Sequence, residues 1–79
     1  MVMKAYEEVA DFIARRDPGG VADFKPSAEA RQRAGDLLRQ EKVSELTTEE
    51  RRELDHYENL ELLMNLARAR ARQLLAHGR

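Results

Sequence analysis

The chain has no cysteine, so disulfides and thiolate metal sites are excluded. That absence fits a reducing compartment. Tryptophan is absent too, and the four aromatic residues amount to 5% of the chain, too few for an aromatic-rich core. Two prolines and four glycines leave long stretches with nothing to interrupt a helix. No apolar run approaches the length of a membrane span. The beginning, Met-Val-Met-Lys, has no basic segment followed by an apolar run, so no signal peptide is expected and a cytoplasmic location is. Charge of one sign is missing as well. The formal net charge is -1, from 14 basic and 15 acidic residues, which removes a bulk drive toward nucleic acid or anionic membrane.

What remains is a chain of 79 residues, 37% charged and rich in Ala, Glu, Leu and Arg, a composition that favours helix. One domain is expected. Chains this short bury a modest fraction of their surface and need support from disulfides, metal or association. With disulfides excluded, association becomes the leading expectation.

Three helices are predicted, at about 3–16, 28–42 and 48–76. The first starts at Val2 or Met3 and ends at Arg16. Tyr6, Val9, Phe12 and Ile13, with Ala5 and Ala10, recur on one stripe, and Lys4–Glu8 and Asp11–Arg15 are i,i+4 pairs. Asp17-Pro-Gly-Gly20 is read as its end, and Val21 to Pro26 as a loop in which Phe24 tucks against the helices. Ser27 is a candidate N-cap for the second helix, with Glu29 in its first turn and a Glu29–Arg33 pair behind it. Its apolar stripe is thin: Ala30, Ala34, Leu37 and Leu38, with Val43 as a candidate fifth member, and Ala30, Ala34 and Gly35 are small enough to permit close helix approach. The third helix opens on a capping box, Thr47-Thr-Glu-Glu50, and no Pro or Gly follows before Gly78.

The long helix carries most of the apolar material. Tyr57, Leu60, Met64, Ala67, Ala71 and Leu74 follow alternating steps of three and four, an a/d seam broadened by Leu63 and Leu75. Leu62, Leu66 and Ala69 fall well away from that seam. The expected arrangement is an all-α fold, two short helices packed on one long C-terminal helix, as a dimeric helical bundle. The seam packs on the short helices, and the second strip serves an intermolecular face; the plainer alternative makes the long helix simply central. Charge is segregated along it. Six acids and two arginines lie between Glu49 and Glu61, then four arginines and no acid from Leu62 on. This suits the helix dipole, and it also makes any homodimer through this helix antiparallel.

Three sets of residues could carry chemistry. Arg68, Arg70 and Arg72 alternate with alanine. They are either a solvated helix end whose stems cover apolar surface, an anchor for a protein partner, or a phosphate contact. The lack of a recognition helix and of basic excess argues against nucleic acid. Glu53 and His56 form Glu-x-x-His, the spacing used by carboxylate metal sites in helical bundles; the alternative is an acid-rich helix start matched to the dipole. His77 lies near the helix end and either frays or interacts with that terminus. No Ser/His/Asp or Cys/His set and no phosphate-binding loop occurs, so no enzyme and no cofactor are expected.

Phe24-Lys-Pro-Ser27, Leu46-Thr-Thr-Glu-Glu50, Glu53-Leu-Asp-His-Tyr57 and Leu60-Glu-Leu-Leu-Met64, leading to Ala67-Arg-Ala-Arg-Ala71, resemble a group of short bacterial all-helical proteins. Their pattern is similar to LTxEE…ELDxY…LExLMxLxxARA. That resemblance implies an antitoxin-like or nuclease-associated regulatory partner, and carries over no catalytic or binding residue. The expected function is a non-enzymatic interaction module. It binds itself or a second protein through Leu62, Leu66 and Ala69 for apolar contact and Arg68, Arg70 and Arg72 for orientation. A ferritin-like metal-binding dimer using Glu53 and His56 is the first alternative, and a nucleic-acid-associated regulator the second.

Overall fold

In the computed structural model, residues 4–77 are described, and the predicted helix start at Val2 or Met3 and the Gly78 stop lie outside them. The fold is all-α: α1 Lys4–Arg16, α2 Pro18–Asp23, α3 Ala28–Val43 and α4 Thr48–His77. No described residue is in a strand. The long C-terminal helix packs against the others. Two compact units share it. Unit 1 holds α1, α2 and α4 from Glu61 on; unit 2 holds α3 and α4 up to Leu60.

The helix α2 is a correction to the predicted loop. Asp17-Pro18 does end α1, but the same pair also starts the next helix. The Asp17 carboxylate accepts from the Gly20 amide at 3.2 Å, and Pro18 occupies the first helical position, where its missing N–H costs nothing. Val21 N donates to the Asp17 carbonyl at 2.9 Å, closing the turn. Gly20 matters sterically, since a Cβ there would meet the Asp17 carboxylate and push the cap aside. Phe24, expected to tuck inward, is exposed just past α2.

Unit 1 is packed with small side chains. Ala10 and Ala14 of α1 and Ala67 and Ala71 of α4 are buried. Methyl side chains at a helix contact let the axes approach closely. Tyr6, Ile13, Leu63, Met64 and Leu74 are half-buried around them. Val9 and Phe12, predicted for the α1 stripe, are exposed instead. The apolar arc of α1 is wider than the surface that covers it, so the arc's flank faces solvent. Asp11 and Arg15 pair at 2.8 Å as expected. Lys4 and Glu8 do not pair, among the described residues.

Unit 2 is a helical hairpin with larger side chains inside. Ala34, Leu37 and Leu54 are buried, and full burial of each leucine contributes about 2 kcal/mol. Of the three small residues expected at the contact, Ala34 is buried, Ala30 is exposed, and a Cβ at Gly35 would meet only the Arg39 guanidinium. Both predicted caps form. Ser27 Oγ accepts from the Ala30 amide at 3.1 Å. The Glu50 amide donates to Thr47 Oγ1 at 3.0 Å, while the Thr47 amide donates to Glu50 Oε1 at 2.9 Å.

The predicted α4 seam holds in one part and shifts in another. Ala67 and Ala71 are fully buried, and Tyr57, Met64 and Leu74 half-buried. Leu60 is 60% exposed, whereas Leu54, off the predicted line, is 1% exposed. A three-four repeat identifies an apolar face to within about one position; the helix packed on it decides which neighbour turns inward.

Candidate functional site

The residues singled out on α4 do not form one uniform exposed strip. Leu62 and Leu66 are half-buried and Ala69 is exposed. Leu66 and Ala69 line one side of a groove of ≈ 330 Å³ in unit 1, with Ala10 of α1 opposite them. Glu7, Asp11, Arg70 and Gln73 add polar lining. The strip expected to project as a ridge is therefore, in part, the wall of a concave surface that this chain itself provides.

The three arginines have three different environments. Arg70 Nε donates to Asp11 Oδ1 at 2.6 Å, and its Nη1 to Gln73 Oε1 at 3.0 Å, which fixes it beside the groove. Arg68 donates from Nη1 to the Phe24 carbonyl at 3.0 Å and from Nη2 to Asn65 Oδ1 at 2.7 Å. Its partners are both neutral, so its charge stays unbalanced. Arg72 is exposed, and no hydrogen bond or ion pair holds it among the described residues. Hydrogen bonds from Arg15 and from Arg70 hold the Asp11 carboxyl below its ordinary titration range.

Two of the six acids in the first part of α4, Glu50 and Glu53, make links within unit 2. Both oxygens of Glu53 accept from Arg33, each at 2.9 Å, in a bidentate fork. That bond lowers the Glu53 carboxyl and raises the Arg33 guanidinium. The predicted Glu29–Arg33 pair is replaced by it. Gln40 donates to Glu50 Oε1 at 3.0 Å, and Arg51 pairs with Glu41 at 2.7 Å. Glu50 is lowered first by the Thr47 amide, and Arg51 is raised by Glu41. His56 is exposed. Among the described residues no group of three or more His, Cys, Asp or Glu side chains is placed to hold a metal ion. His77 Nδ1 lies 3.0 Å from the Gln73 carbonyl, closing the last turn of α4.

A second concavity, ≈ 630 Å³, lies at the turn between α3 and α4 and is lined by Glu41, Ser44, Leu46, Thr47 and Arg51 among others. It is larger; of its polar lining Thr47 serves the capping box and Glu41 pairs with Arg51, and Leu46 is its one large apolar side chain. The unit 1 groove takes its apolar lining from both α1 and α4, with Ala10 on one side and Leu66 and Ala69 on the other.

Sequence reasoning missed the exposed row on α1. Its signal was present: apolar residues at 5, 6, 9, 10, 12 and 13 span more of the helix circumference than a single contact covers. Compared with known proteins, the chain matches no family model, no curated protein and no solved structure.

Proposed function

We infer that this chain is a non-enzymatic protein-interaction module and that the groove between α1 and α4 in unit 1 is where a partner docks. One observation carries the reading: side-chain size is inverted between inside and outside. The buried apolar residues described are five alanines and two leucines, while Val9, Phe12, Phe24, Leu38, Val43, Leu60 and Leu75 are exposed, Val43 to 84%. A short chain gains little from burying alanine and has large apolar side chains left over, which favours association as the way to cover them; the groove in unit 1 is the concave surface on which a partner can start.

The groove suits an amphipathic helix that presents one or two apolar anchors. Leu66 and Ala69 would receive them over the buried Ala10, with Glu7 and the linked Asp11, Arg70 and Gln73 meeting the partner's polar flank. This keeps Leu66, Ala69 and Arg70 in the binding role that the sequence suggests, but the chain offers the groove and the partner the ridge. An antitoxin-like inhibitor is one form such a module takes, and it rests on the sequence resemblance.

The test is a native mass spectrum of the chain purified gently from its own cells, as wild type and as Ala69→Arg. Ala69 is exposed, so arginine there fills the groove without disturbing α4. The expected result is a second protein at fixed stoichiometry with the wild type, lost in the variant at unchanged helicity. Wild type without a second protein, or a complex that survives the substitution, overturns the reading.

A further inference from the structure

The helix α1 presents a second line of side chains that its own unit leaves uncovered. Ala10 and Ala14 mark its inward side. Ala5, Val9 and Phe12, at i, i+4 and i+7, mark another, and all three are exposed, Val9 to 46% and Phe12 to 59%. Arg16 continues the row and lays its guanidinium over the Phe12 ring, 4.6 Å from the centroid.

The charges along the edge of this row are unbalanced in opposite senses at its two ends. Arg15 donates to Asp11 at 2.8 Å, but Asp11 also accepts from Arg70 at 2.6 Å. One carboxylate shared by two guanidiniums leaves a positive excess beside Arg15. Two turns earlier, Glu8 makes no ion pair among the described residues, and Lys4 is not within ion-pair distance of it. A row that is apolar in the middle, with the unpaired Glu8 before its centre and the positive excess of Arg15 after it, is complementary to itself at those two positions when reversed; Lys4 lies one turn before Glu8, outside that pairing. Such self-complementarity is what a two-fold contact between identical chains requires. The seam of α4 offers no equivalent in this unit, because Ala67 and Ala71 are already fully buried.

We propose that α1 pairs antiparallel with α1 of a second copy, Val9 and Phe12 interleaving across the two-fold axis and Glu8 of each chain facing Arg15 of the other. The row is small beside the ~1,200 Å² lower bound of stable interfaces, so the pair is weak and concentration-dependent. It is separate from the groove, which leaves that surface open for a different partner.

Sedimentation of the full chain over a concentration series, with charge-swapped variants, tests this. The wild type should pass from monomer to dimer as concentration rises. Glu8→Arg and Arg15→Glu should each weaken the dimer by about tenfold or more, since each places like charges together. An equal mixture of the two variants should recover the dimer, because both crossed pairs then attract. Phe12→Asp should give monomer at unchanged helicity, the ring being exposed. A monomer at every concentration, a mixture no better than either variant alone, or a dimer indifferent to Phe12→Asp overturns the proposal. Should Phe12→Asp lose helicity, the mixture experiment decides by itself. A chain that stays monomeric yet loses its second protein on Ala69→Arg would sink the α1 pair and leave the groove reading intact.

Discussion

Unit 2 and unit 1 are built from one chain but held together by different means. In unit 2, two fully buried leucines sit beneath three cross-helix polar links, Arg33–Glu53, Gln40–Glu50 and Glu41–Arg51, with a capping box at the turn. In unit 1 the buried residues are all alanine, and the long-range polar links are Arg70 on Asp11 and Arg68 on the Phe24 carbonyl. Alanine brings helices close but withdraws little apolar area from water. The unit with the weaker interior is also the one with the groove and the exposed Phe12. Both units leave large apolar side chains exposed, Val9, Phe12, Phe24 and Leu75 in unit 1 and Leu38, Val43 and Leu60 in unit 2, so the two differ in what they bury and not in what they expose.

Substitutions should reveal that contrast in graded steps. The largest effect belongs to Leu54→Ala in unit 2, which leaves a cavity and should cost about 2–5 kcal/mol in urea unfolding followed by circular dichroism. An effect under half of that range would mean the hairpin collapses easily and is no better packed than unit 1. Next comes Ala71→Leu in unit 1. With no space at that position, added volume should cost about 1–3 kcal/mol, read as a lowered thermal midpoint. A neutral result would show that the alanine contact is looser than its burial implies. Thr47→Ala removes one half of the capping box and should cost about 1 kcal/mol, visible as faster amide exchange in the first turn of α4.

Acidification acts on both units and is smaller again, because the groups concerned are solvent-exposed. Asp11 in unit 1 and Glu50 and Glu53 in unit 2 all have carboxyls held below their ordinary range. A lowered folded-state pKa adds stability above the unfolded range, and that stability is lost as pH falls through it. Unfolding at a series of pH values should therefore show a decline below about pH 4.5, shallower for Glu53→Gln than for wild type. Phe12→Ala should have the least effect. At concentrations too low for pairing, it should change stability by no more than about 0.5 kcal/mol.

The features legible in the sequence were those whose partners lie a few residues away. Ser27 with Ala30, and Thr47 with Glu50, are fixed by chain spacing alone, and both formed. The three predicted helices are all present, with C-terminal limits within a residue. Asp17-Pro18 was half-read, because the chemistry that stops one helix also starts another. What escaped depends on distant partners. Whether Leu54 or its neighbour points inward is settled by α3. Arg70 finds Asp11 at a separation of 59 residues, and Arg33 prefers Glu53, 20 residues on, to Glu29 in its own helix. For the candidate site, Leu66, Ala69 and Arg70 were legible as a group, but their concavity was not, since Glu7 and Ala10 form the other side.

The Arg68 contact has a consequence for how this chain tolerates variation. Its long-range acceptor is the main-chain carbonyl of Phe24, which any residue at position 24 would supply equally well. Position 24 is thus free to drift as far as this tether is concerned. Position 68 must keep a side chain long enough to reach that carbonyl and forked enough to hold Asn65 at the same time. Selection on this contact is one-sided: it reads the donor and is blind to the identity of the residue it holds.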